Sequence, residues 1–432
     1  MSNLYYEKAN GDDVAVNGDN PLPVVPTYSG IAQDAWGRPK SVADYSMFRA
    51  LFSYDVPSRI WEEFSVDVSL NYTPLTSTGT LATSVLGSLQ VSSGTAADSG
   101  CTLLSRRHPR YQPNRGHLYS IAGWFPTPEA DGTRKWGLMC GCLSEARRSG
   151  VYFELEGDGS DFTLYAVVRS YGNYKARVDV TASIPDGVDL GKNNLYDIQY
   201  QWRGAGDYLF YINQQLIHRI EFVNTQTDLT LWNPALSVGF ECFTHTTTEL
   251  TMRFGCADVT SEGGATDSRQ FASISTGESL LNCTATGTAM LAIKMPRTLI
   301  YNGVEVANTR DLVASKISAW TRDEAAVQVW FARDTVATNL DALTWDSLPD
   351  STAQSLVGGD TSALDTAFQS DKASMQLVLN EWDDLEQKNI VVNPSEDSAP
   401  FFVTAGDILV VAVKSIGGTD QNATTVYLSE EI

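Results

Sequence analysis

Positive charge is scarce in this chain: 30 Lys and Arg stand against 52 Asp and Glu, a formal net charge of −22. A phosphate backbone needs a concentrated basic footprint, so nucleic-acid binding is excluded. Histidine is scarcer still, with 4 in 432 residues. Neither an H-E-x-x-H helix nor C-x-x-C pairs with flanking histidines is present, so no zinc site is expected. A G-x-S-x-G elbow and a P-loop are also missing. No run approaches the ~18 apolar residues of a membrane helix, which excludes membrane insertion by a helix. The opening MSNLYYEKANGDD has no basic stretch followed by an apolar one, so no secretory leader is expected. Six cysteines are present, Cys101, Cys140, Cys142, Cys242, Cys256 and Cys283, without the spacing of a disulfide framework. They are expected to be buried free thiols, and no cofactor is expected.

What is present is a β pattern. The stretch Tyr196 to Phe222 alternates apolar and polar residues: Tyr196, Ile198, Tyr200 and Trp202 interleave with Asp197, Gln199 and Gln201. This period of two buries one face of a strand. Gly204 and Gly206 mark a first turn and Asn213-Gln214-Gln215 a second, with Tyr208 to Ile212 between them. Leu216, His218, Ile220 and Phe222 are expected on one face of a third strand. Such a meander needs a second sheet to cover its apolar side.

Further strands are expected at Ser65 to Tyr72, Leu86 to Ser92, Leu118 to Phe125, Trp136 to Leu143, Gly150 to Glu156, Phe162 to Ser170, Arg177 to Ile184, Ala235 to Phe243 and Glu249 to Ala257. Residues 1–40 read as an extended arm, because Pro21, Pro23 and Pro26 oppose a central strand. Residues 41–264 read as one sandwich, ending in the polar, Gly-rich stretch after Ser261. Residues 265–432 read as a smaller β-sandwich domain, with strands near Ala289 to Lys294, Ala314 to Trp320, Ala326 to Arg333, Ser374 to Trp382 and Asp407 to Lys414. Short helices are expected in the looser Val336 to Phe368. The fold class is all-β.

The W-x-G-x-G…F-x-I-N pattern of Trp202 to Asn213 resembles the central strands of concanavalin A-like and laminin G-like jelly rolls. Five segments in order also resemble a family of tailed-bacteriophage virion structural proteins. They are Asp34-Ala-Trp-Gly-Arg38, Ser105 to Gly116, Gly150 to Gly159, the Trp202 to His218 meander and Ser261-Glu-Gly-Gly264. The resemblance implies a non-enzymatic head-decoration, neck, tail or fibre component of the virion, assembled in the host bacterial cytoplasm. Its implied partners are further copies of itself, as a trimer, and other virion proteins; the alternative reading is an adhesin whose sandwich binds a host surface glycan, with a glycan-cleaving enzyme third.

Several residues carry chemistry. Glu154, Glu156 and Asp158 fall two apart, so a continuing strand would aim all three carboxyls one way, as a retaining glycosidase needs. Gly157 and Gly159 favour a hairpin turn there instead, and catalysis is not the preferred reading. His218, four residues after Gln214, fits a lyase base on a concave sheet, but also an ordinary packed histidine. Asp158 to Asp161 fits a calcium loop or a plain turn. Arg106, Arg107, Arg110 and Arg115 cluster in an acidic chain; ion pairs at an interface are preferred over an anion site. Leu22, Val24 and Val25 are the arm's candidate contacts with a neighbouring subunit. Trp124 and Trp136 are the candidate platforms for a glycan.

Overall fold

A computed structural model of the chain describes residues 5–7, 13–15, 45–52, 61–67, 72–74, 82–85, 87–112, 115–140, 147–202, 206–222, 227–262, 269–277, 280–301, 303–321, 325–348, 351–383, 389–392, 401–416 and 420–431. Within the expected arm, Tyr5–Glu7 and Asp13–Ala15 pair as a short antiparallel hairpin. Leu22, Val24 and Val25 lie outside the described residues.

Two antiparallel sheets form the first sandwich. The first sheet runs, edge to edge, Asn173–Asp179, Phe162–Ser170, Gly150–Gly157, Gly132–Met139, Ser237–Thr244, Ser99–Ser105, Trp61–Val66 and Tyr72–Pro74. The second runs Gln215–Ile220, Tyr208–Ile212, Asn194–Tyr200, His117–Trp124, Thr251–Ser261, Ser88–Ser92 and Ala82–Val85, with Tyr45–Leu51 also paired to Thr251–Ser261. Strands distant in sequence are neighbours in both sheets, as jelly-roll connections require.

Alternation decides which side chains enter the core. Tyr196, Ile198 and Tyr200 point into it, as their spacing predicts. Asn213 and Gln214 both take positive φ, 50° and 67°, the twist-compatible two-residue hairpin turn. The third meander strand departs from expectation. A register shift opposite Phe210 and Tyr211 leaves Ile217 unpaired and buried and Leu216 exposed, so Leu216 departs from the face that His218, opposite Phe210, still shares with Ile220, opposite Tyr208.

Trp136 is a correction. It is 0% exposed at the centre of the core, with ring centroids 4.3 Å from Phe125, 5.4 Å from Phe153 and 5.1 Å from Tyr196. An indole packed on three aromatic rings cannot be a glycan platform. Trp124 alternates to the outer face of the second sheet and is half-buried.

The second sandwich packs Arg269–Ser275, Asp420–Glu431, Asp311–Thr321 and Asn389–Val392 against Asp346–Ser347, Gln354–Val357, Thr288–Lys294, Asp407–Ser415, Ala325–Arg333 and Gln376–Asp383. The helix Ala363–Asp371 covers the outer side of the latter sheet with Leu364 and Phe368. Ser362 starts it by accepting the Asp365 amide through Oγ at 3.0 Å.

The two sandwiches are joined by buried charge. Arg333 binds Glu62 of the first sandwich and Asp407 of its own, each at 2.5 Å, and Arg297 reaches the same Glu62 at 2.8 Å. Arg106 enters this network, 3.4 Å from Asp407, and donates through Nε to the Trp61 carbonyl at 3.1 Å. Arg107 lies over the Phe402 ring at 4.4 Å. The expected arginine interface is thus, for Arg106 and Arg107, an interface between sandwiches of one chain: the buried Arg106 cation finds an acid in Asp407 of the second sandwich, and Arg107 lies on that sandwich's Phe402. Arg110 and Arg115 are half-buried and engaged.

Among the described residues, Cys101, Cys140, Cys242 and Cys283 are free and buried, whereas Cys256 is free and exposed, because the strand is irregular between Phe254 and Cys256. Cys142 lies outside the described residues.

Candidate functional site

The outer face of the first sheet carries a line of chemistry that the register assembles. Thr102, Glu241, Lys135, Glu154, Tyr165 and Asp179 are direct partners across six adjacent strands. Cross-strand partners share a face, so these side chains form one row. Lys135 Nζ lies 2.9 Å from Glu241 Oε1, Thr102 Oγ1 donates to Glu241 Oε2 at 2.8 Å, and Arg148 donates to the same oxygen. Burial pushes the Glu241 carboxyl up, but the adjacent Arg148 and Lys135 cations outweigh it and hold the group well below the usual carboxylate range.

Arg177 gathers the other end of the row. It donates to Glu154 Oε1 through Nε at 2.9 Å and Nη2 at 2.7 Å, and lies 2.5 Å from Glu156 Oε1. Its guanidinium sits 3.5 Å above the Tyr165 ring. Burial works against the charged guanidinium, but Glu154 and Glu156 reverse this and hold it firmly cationic. Glu154 is 2% exposed, and its Oε2 is buried with no hydrogen-bond partner. Glu156 has a side chain 43% exposed and brings the row to the surface.

There the sheet opens into a cleft of about 400 Å³ lined by Thr133, Glu156, Asp158, Asp161, Thr163 and His245. Its wall is the hairpin turn after Gly157. Gly157 passes so close to the preceding loop that a Cβ would stand 2.3 Å from the Ala130 carbonyl oxygen, and Gly159 takes φ +89°. Glu154 and Glu156 therefore share the outer face while Asp158 belongs to the turn. Asp158 Oδ1 accepts the amides of Ser160 and Asp161 at 2.8 and 2.9 Å, which lowers its carboxyl below the ordinary value. The Asp158 to Asp161 segment is an Asx-type turn. Among the described residues no three His, Cys, Asp or Glu gather to hold a metal ion.

His218 is half-buried on the edge strand Gln215–Ile220 of the second sheet, away from this row, and burial lowers its pKa. Glu241 and Lys135 escape the sequence reading although Glu241 is the one charge in the strand Ser237–Thr244, a signal of paired burial.

No protein-family model and no curated protein matches the chain. Solved structures do resemble it. An endo-1,3-beta-glucanase from Streptomyces sioyaensis is similar at TM-score 0.39 and 12% identity, covering 51% of this chain and 97% of that one. The Emp47p carbohydrate recognition domain is similar at TM-score 0.35 and 10% identity, covering 54% and 100%. A glycosyl hydrolase family protein from Mycobacterium fortuitum is similar at 0.34 and 12%, covering 50% and 99%. These likenesses correct one expectation, that of no enzymatic activity: several of the similar structures are glucanases or glycosyl hydrolases.

Proposed function

We propose that this chain is a glycan-engaging component of a tailed-phage particle, with the cleft at Glu156 as the sugar-contacting surface. The observation that carries the glycan reading is the cleft itself. Carboxylates, two threonine hydroxyls and an imidazole converge in a concave site, fixed from beneath by the Arg177 clamp. Dense, preset acceptors and donors suit a ligand made of hydroxyl groups. Equilibrium binding to an array of bacterial surface oligosaccharides tests it. Glu156→Gln and His245→Ala weaken binding about tenfold each, a size reached by losing one charge-assisted hydrogen bond. Unchanged affinity in both variants removes the cleft from the account.

A second reading is cleavage, favoured by Glu154 and Glu156 on one strand face with Glu154 Oε2 unpartnered. Retaining glycosidases set two carboxyls ~5 Å apart. Release of reducing ends from a bound oligosaccharide, abolished by Glu154→Gln, establishes it; binding without release leaves recognition alone.

The virion placement rests on the five ordered sequence segments. In the particle, Leu22, Val24 and Val25 contact a neighbouring subunit of a trimer. Deleting residues 1–30 therefore leaves the melting of both sandwiches unchanged and sharply lowers incorporation into particles. Normal incorporation overturns that role for the arm.

A further inference from the structure

The cleft at Glu156 has a charge asymmetry that narrows its ligand. Three carboxylates, Glu156, Asp158 and Asp161, line its volume of about 400 Å³, and His245 is the one basic side chain among the described residues that line it. That imidazole is already answered by an acid, its Nδ1 lying 3.6 Å from Asp98 Oδ1. Arg177 is not in the lining; it stands beneath Glu156 and is shared with Glu154. The cleft therefore presents more negative than positive charge, on a chain whose net charge is −22.

The two turn acids are held by the backbone through one oxygen each. Asp158 Oδ1 accepts the Ser160 and Asp161 amides, and Asp161 Oδ1 accepts the Phe162 amide at 2.8 Å. Both residues are exposed, so their other oxygens are open to a ligand. The carboxylates do not gather closely enough to enclose a metal ion, so the cation they suit is larger and organic. Phe162 is the one apolar side chain in the lining, and it packs against the core. Recognition here falls to charge and hydrogen bonds rather than to aromatic stacking.

We propose that this cleft selects an amino sugar, a pyranose whose ammonium group donates to Asp158 and Asp161 while its hydroxyls meet Thr133 and Thr163. An ammonium carries three donors and a carboxylate only acceptors, so each contact is a charge-assisted hydrogen bond. Acetylating the amine removes the charge and adds a carbonyl acceptor that the acids cannot satisfy. A uronic sugar brings a like charge into the cleft and is rejected. The inference rests on the glycan reading of the same cleft proposed above and names its ligand class.

The test is calorimetric titration of the full chain with tetramers of glucosamine, N-acetylglucosamine and galacturonic acid, and with tetralysine. The glucosamine tetramer binds about tenfold more tightly than the acetylated one, the size of one charge-assisted bond, and the uronate binds more weakly than either. The double variant Asp158→Asn/Asp161→Asn keeps the amide-accepting oxygens of the turn and reduces the preference to about threefold or less. Equal affinity for the amine and the acetylated tetramer, both weakened by Glu156→Gln, overturns the selection and leaves the Glu156 cleft standing. Tightest binding of the uronate overturns it, as does tetralysine binding as tightly as the amino sugar. A preference unchanged in the double variant assigns it to the overall charge and also overturns it. If the double variant melts early, Asp161→Asn alone is judged by the same preference. Failure of all three tetramers to bind overturns the amino-sugar class, while the oligosaccharide array decides the cleft itself.

Discussion

Glu241→Gln is the sharpest probe of the charged row. The variant keeps the shape and the Thr102 hydrogen-bond partner but removes the charge facing Lys135 and Arg148, both buried. Breaking a buried ion pair on one side costs about 3–5 kcal/mol, because the surviving buried cations lose the charge they share. In a sandwich of this size each kcal/mol moves the midpoint about 2–4 °C, so the first sandwich melts about 6–20 °C earlier at neutral pH. The pH dependence gives an independent reading. The folded Glu241 carboxyl lies below the ordinary value of 4.5. Its contribution is therefore complete above that value and is lost as pH falls toward the folded pKa. Wild-type stability drops through the acid range, and the Gln variant, lacking this titration, drops less steeply. Differential scanning calorimetry from pH 7 to 3 measures both. A variant melting within about 2 °C of wild type, with a parallel pH curve, refutes the claim that the row is a paired, buried structure.

Two further outcomes follow from the packing. Arg333→Met removes the cation shared by Glu62 and Asp407, costs about 3–5 kcal/mol and separates the melting of the two sandwiches; an unchanged thermogram places their coupling elsewhere. In native protein a thiol reagent modifies Cys256 quickly and spares Cys101 and Cys242, whose thiols burial raises, Cys242 to about 12; rapid native labelling of either buried residue contradicts the sheet register around them.

The meander was legible because its apolar residues alternate strictly and its turn is Asn-Gln. The bulge at Ile217 was not, since a single unpaired residue leaves no mark on composition. Trp136 misled because alternation says that a residue lies on one face and cannot say which face is covered. The strand Asp420–Glu431, central to its sheet, is hidden by the polar run Gln421-Asn422-Ala423-Thr424-Thr425, whose Asn422 and Thr424 are nonetheless buried. The row Glu241–Lys135–Glu154 could not be assembled from sequence at all. Its members come from three strands whose order in the sheet is set by long-range pairing. The lone charge of Glu241 among Phe240, Cys242 and Phe243 was the available clue.

The most direct test of the central claim is hydrogen–deuterium exchange with and without a saturating, array-selected oligosaccharide. Ligand contact at the Glu156 cleft slows exchange in the turn between Gly150–Gly157 and Phe162–Ser170 and at the end of Ser237–Thr244 beside His245, leaving the outer face of the second sheet unchanged. Protection confined to that second sheet, or none at saturation, contradicts it.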